Sequence, residues 1–222
     1  MKKETLMKKE TLWRAGIYSA GVLILAFGGA LGTKTGLGIS PINAIPFALN
    51  HAFSIQFSHA VFVFYLGIIL LEFLIKGKNR QWRDLLQLPF SAVYSTLLGI
   101  FDVWIRVPDA LWQRLAILAA SVVLLGLGVT LIVNMRLVPN PADGLAAAIG
   151  IWLRRDMGFG KNLLDICCVA GAFCIDACFG TLWTSIGAAT VVSALLIGRF
   201  VHLFDSLLHT RILSLAGLSS EI

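Results

Sequence analysis

Two short stretches carry the residues best suited to binding chemistry. Ser40-Pro41-Ile42-Asn43 and Asn140-Pro141-Ala142-Asp143 each set a good helix N-cap before a proline, with a polar side chain three residues after the cap. A helix starting there presents free N–H groups and the positive end of its dipole, with Asn43 or Asp143 on its first turn. Ser40, Asn43, Asn140 and Asp143 are therefore candidate binding residues for a small solute, an anion being the simplest case. Plain reciprocal capping, with the third residue folding back on the cap, suits the same residues as well.

A second group suits anion binding and ion coupling. Arg199, His202 and Asp205 fall at i, i+3 and i+6 of an apolar stretch, so a helix turns all three toward the bundle interior. Arg199 would hold an anionic solute, while His202 titrates near physiological pH and, with Asp205, would carry a coupling proton. A snorkelling, topology-setting arginine is the plainer reading of Arg199. Glu72 and Asp102 are also ionisable groups inside apolar stretches, hence further coupling candidates. Lys76 and Arg106 stand one turn beyond them, and an i,i+4 pair near the membrane edge explains each equally simply. Lys161 and Asp165 form another such pair, whereas Asp176 has no obvious partner.

Other chemistries find nothing to stand on. Cys167, Cys168, Cys174 and Cys178 share one apolar stretch and read as small buried hydrophobes. No metal ligand set and no cofactor motif is expected. The chain lacks a phosphate-binding loop, a dinucleotide fingerprint, a His-Glu-x-x-His and a nucleophile elbow. It is not expected to be an enzyme.

The elements that must position these residues follow from composition. Of 222 residues, 58% are hydrophobic and only 14% charged, and the mean hydropathy is +0.84. So little charge cannot cover a water-facing surface, which excludes a soluble domain, and so much apolar content excludes disorder. Apolar runs long enough to cross a bilayer occur at about 14–33, 58–76, 86–105, 114–134, 161–180 and 183–205. A net charge of +6 is also common in nucleic-acid-binding proteins, but the basic residues flank these runs and form no groove-sized patch.

Charge placement orients the runs. Alternating the connecting segments puts fifteen of the 18 Lys and Arg on one side and three, Lys34, Arg106 and Arg114, on the other. The richer side is cytoplasmic, so both termini are expected inside a bacterial inner membrane. MKKETL at 1–6 and again at 7–12 reads as a duplicated or alternative start, with Met7 as good an initiator as Met1. Trp13, Trp82, Trp104, Trp112 and Trp152 fall near run ends, where indoles favour the interface. Gly28, Gly32 and Gly36 have the spacing that lets helices approach closely.

The chain also repeats itself. Pro41 and Pro141, Asn43 and Asp143, and Ala48 and Ala148 are each 100 residues apart, and Ile100-Phe101-Asp102 answers Leu203-Phe204-Asp205. An odd number of spans per repeat turns the second copy upside down. The expected fold is an all-α, polytopic bundle of six transmembrane helices, built as two inverted three-helix repeats, each with a short interrupted or re-entrant helix. Its parts are a tail at 1–13, repeats at 14–106 and 107–209, and a cytoplasmic tail at 210–222. Inverted repeats with short, proline-interrupted segments are typical of secondary transporters.

The runs Gly-Leu-Gly-Ile-Ser-Pro at 36–41 and Pro-Asn-Pro-Ala-Asp-Gly at 139–144, Asp165, and Gly180-Thr181-Leu182 with Gly187 resemble the YczE/YyaS/YitT-type bacterial integral membrane proteins. The resemblance covers nearly the whole chain from residue 14. It implies a bacterial membrane protein of this architecture and adds no substrate. The expected activity is alternating-access transport of a small solute, the partners being that solute and the bilayer, with a homodimer compatible and nucleic acid excluded. The alternative is a solute-binding or regulatory membrane subunit that depends on a partner for transport.

Overall fold

In the computed structural model, which describes residues 2–181 and 184–218, the backbone forms eight α-helices. They are α1 (Lys2–Thr33), α2 (Pro41–Phe53), α3 (Phe57–Lys76), α4 (Gln87–Trp104), α5 (Leu111–Asn134), α6 (Pro141–Trp152), α7 (Met157–Phe179) and α8 (Ala188–Leu215). Two short 3-10 turns, Gly77–Asn79 and Trp82–Leu86, join α3 to α4.

Six segments are long and apolar enough to cross a membrane: Glu10–Thr33, Phe57–Asn79, Trp82–Trp104, Leu111–Asn134, Met157–Phe179 and Ala188–Leu215. The chain is a multi-pass membrane protein. Large apolar side chains point outward along these helices, as a lipid-facing surface requires. All five tryptophans expected at the interface are exposed. The last helix runs ten residues past its expected end at 205. The expected start of that span, Trp183, and Leu182 of the glycine-threonine-leucine stretch lie outside the described residues, as does 219–222 of the expected tail. Helix α1 begins at Lys2, within the expected N-terminal tail, and its membrane-crossing part begins at Glu10.

The helices α2 and α6, of 13 and 12 residues, are far too short to span, because about 20 residues are needed. Both start at a proline in the first turn, where the missing N–H costs nothing. Both are sandwiched between α3 and α7. Gly160 lets α7 approach α6 closely, since a Cβ there would collide with the backbone of Ala146.

The main seam of the bundle joins α1 to α5. Two glycines 100 residues apart make the close approach possible. A Cβ on Gly28 would lie 3.1 Å from Leu124 Cβ and Leu125 N, and one on Gly128 would lie 2.8 Å from Leu25 N. Ser121 Oγ closes the seam by donating to the Gly28 carbonyl at 2.7 Å. Outside it, α4 packs on α1 and α8 packs on α5. Backbone conformation repeats at the same interval. Gly36 and Arg136 have φ of +63° and +50°, and Ser54 and Arg154 have +53° and +55°. The Asn43 and Asp143 amides each donate to the carbonyl three residues back at 2.9 Å.

Candidate solute-binding site

A cavity of about 330 Å³ lies where the N-terminal ends of α2 and α6 meet. Ser40 and Asn43 line it from α2, and Asn140 and Asp143 line it from α6. All four are buried. Met157, Lys161 and Asp165 of α7 and Ala194, Gly198 and Val201 of α8 form other walls. The four candidates that are adjacent only within their own stretches are thus gathered into one place by folding.

The two helix ends differ chemically. Asn140 Oδ1 accepts from the Ala142 amide at 3.2 Å and caps α6. Ser40 makes no such bond; instead Asn43 Nδ2 donates to Ser40 Oγ at 3.3 Å. The N-terminus of α2 is therefore left facing the cavity without a side-chain cap. Asn43 is 1% exposed, and its Oδ1 has no hydrogen-bond partner among the described residues. A buried acceptor left unpaired costs on the order of 1–3 kcal/mol. Asp143 sits on the first turn of α6, and burial raises its carboxyl above the usual range, with Lys161 opposing and Asp165 adding to the rise. Lys161 Nζ is itself held by Asp165 at 2.7 Å.

Two tyrosines in the middle turns of α3 and α4 join the ends. Tyr65 and Tyr94 are buried, their rings stacked with centroids 5.6 Å apart. The Tyr65 hydroxyl lies near Asn140 and Tyr94, and the Tyr94 hydroxyl lies near Asn43 without a hydrogen bond to its Oδ1. Both line the cavity. Nothing in the order of residues singles them out, because a tyrosine inside an apolar run looks like ordinary core. Their neighbours Asn43 and Asn140 do carry a signal, because each belongs to one of the two helix starts that recur 100 residues apart.

The other candidates go elsewhere. Arg199, His202 and Asp205 are not gathered into a buried ladder: Arg199 and His202 are exposed. Asp205 turns to the α5 seam, accepting from Asn134 Nδ2 at 2.8 Å. His209 Nδ1, one turn on, lies 3.2 Å from Asp205 and 2.8 Å from Asn134 Oδ1. Asp102 does not pair with Arg106, because α4 ends at Trp104 and the chain turns extended. It pairs with Lys34 at 2.9 Å and accepts from Thr33 Oγ1 at 2.7 Å. Glu72 does pair with Lys76, at 2.5 Å. It is fully buried rather than at an edge, accepts from Gln87 Nε2 at 2.9 Å, and faces Gly144 of α6.

Asp176, without a partner in sequence, is also fully buried. Ser185 holds it through its amide and hydroxyl, both at 3.1 Å. Of the cysteines, Cys168 alone is buried, while Cys167, Cys174 and Cys178 are exposed.

Comparison with known proteins agrees with this membrane architecture. The chain is 24% identical to "Uncharacterized protein YyaS" of Bacillus subtilis (strain 168), over 89% of this chain and 94% of that one. It is also 24% identical to "Uncharacterized membrane protein YczE" of the same organism, over 88% and 87%. No solved structure matches. Residues 12–206 match the family of unknown function DUF6198, so this multi-pass membrane protein belongs to that family.

Proposed function

We propose that the protein is a small secondary transporter, which binds a small solute between the N-terminal ends of α2 and α6. The observation that carries this reading is the gathering of Ser40, Asn43, Asn140 and Asp143 around one cavity. In this reading α2 and α6 are re-entrant, meeting beside the mid-helix residues Tyr65 and Tyr94. Irregular backbone at such depth is tolerated where it is buried in protein or lines a cavity. The two halves form inverted repeats, supported by the 100-residue recurrence of caps, prolines, left-handed residues and seam glycines.

Alternating access then has a simple geometric form. Helix α3 packs on α4, whereas α7 and α8 stand apart around the cavity without comparable packing. Exchanging these two arrangements would close one side of the site and open the other, as rocking of one repeat against its twin requires. The protein sits in a bacterial inner membrane with both termini cytoplasmic, and it carries solute without transforming it.

Counterflow into liposomes containing only this protein tests the reading. Labelled solute from a metabolite panel should accumulate against its unlabelled counterpart, and Asn43→Leu should abolish the accumulation. Solute binding with no counterflow would replace the transporter with a partner-dependent binding subunit.

A further inference from the structure

We infer that the solute is a zwitterion of amino-acid type, its carboxylate held at the α2 N-terminus and its ammonium held by Asp143 and Asn43 Oδ1. This rests on the cavity being the solute site, and it identifies the chemistry that the site takes.

The cavity presents both signs of partner. At α2 the dipole end is positive, Pro41 occupies the first helical position, and Ser40 does not cap the turn. A carboxylate fits there. At α6 the corresponding end is already capped by Asn140 and carries Asp143, which no cation neutralises directly, since Lys161 is bonded to Asp165. A purely anionic solute would meet the Asp143 carboxylate in a buried space, where like charges repel strongly. The unpartnered Asn43 Oδ1 is an acceptor, buried at 1% exposure on a residue that lines the cavity. It needs an N–H or O–H donor, which a carboxylate does not bring. An ammonium brings three donors, enough for Asp143 and Asn43 together. The volume of about 330 Å³ lies at the small end of ligand pockets. It suits a solute of amino-acid size, with Leu25, Leu125 and Val129 as an apolar wall for its side chain.

Calorimetry on the protein in lipid nanodiscs tests the assignment, with a series of L-amino acids, the amines left by removing their carboxylate, and the acids left by removing their ammonium. At least one amino acid should bind, and its amine and acid should each bind about tenfold more weakly or worse, the loss of one charge-assisted contact. Asp143→Asn should weaken the amino acid by a similar factor and tighten the acid, whose repulsion by the Asp143 carboxylate it removes. Asn43→Leu, which removes the acceptor, should weaken the amine and the amino acid alike. An acid or an amine binding as tightly as its parent amino acid would overturn the assignment. So would a panel in which no amino acid binds to folded wild-type protein. Amino-acid binding without counterflow would leave the assignment standing and remove the transporter reading, whereas counterflow of a simple anion would do the reverse.

Discussion

Asp143 and Glu72 show how differently two buried acids are used. Asp143 has no directly bonded cation among the described residues and a carboxyl raised by burial. The folded state holds its proton to higher pH than the unfolded chain does, so the neutral form's contribution to stability is present in acid. It is lost as pH rises through the carboxylate range toward the raised value. The groups facing it are Lys161 and Asp165 of α7 and Tyr65 of α3. Melting of ligand-free wild type should therefore fall relative to Asp143→Asn as pH is raised from acid to neutral; parallel curves would show that Asp143 does not titrate there. Glu72 instead accepts from the buried Gln87 and pairs with the part-exposed Lys76, which Asp84 also holds. Glu72→Ala orphans the buried Gln87 amide, while Lys76 keeps Asp84 at 2.9 Å, and should cost about 1–3 kcal/mol. Asp205→Asn, at a carboxylate 45% exposed, should cost less than about 1 kcal/mol. Equal losses in thermal melts would mean that the Glu72 network is not structural.

At the scale of elements, glycine placement decides which helices touch. Gly128→Ala would push a methyl into the Leu25 backbone, and overpacking of this kind costs about 1–3 kcal/mol. Gly67, also inside a helix, has nothing within 4 Å of a built Cβ. Gly67→Ala should be neutral or gain a few tenths of a kcal/mol from helix propensity. If both variants melt alike, the α1–α5 seam is not as close as described. Existence and order of the helices were legible in sequence, because long apolar runs leave little choice in a bilayer, and the short helices were legible from their proline starts. Helix ends were less so. Asp205 was expected to close the last span, yet apolar Leu207, Leu208, Ile212 and Leu213 carry α8 onward, which brings His209 to Asp205. The partner of Asp102, Lys34, lies 68 residues away, and no local spacing announces a contact between helix ends. The candidate site was half legible: caps and their third residues signalled it, whereas Tyr65 and Tyr94 did not.

For the whole molecule, everything depends on α2 and α6 belonging to oppositely oriented halves that meet at one cavity. Ser54 and Arg154 occupy the same left-handed position after the two short helices, at φ of +53° and +55°, and both are exposed. In a background where Cys167, Cys168, Cys174 and Cys178 are replaced, Ser54→Cys and Arg154→Cys can each be treated with a membrane-impermeant thiol reagent on intact cells and on inside-out vesicles. The account predicts that Ser54→Cys reacts only in intact cells and Arg154→Cys only in inverted vesicles. Labelling of both from the same face would contradict the inverted repeat, and with it the alternating-access account of the cavity.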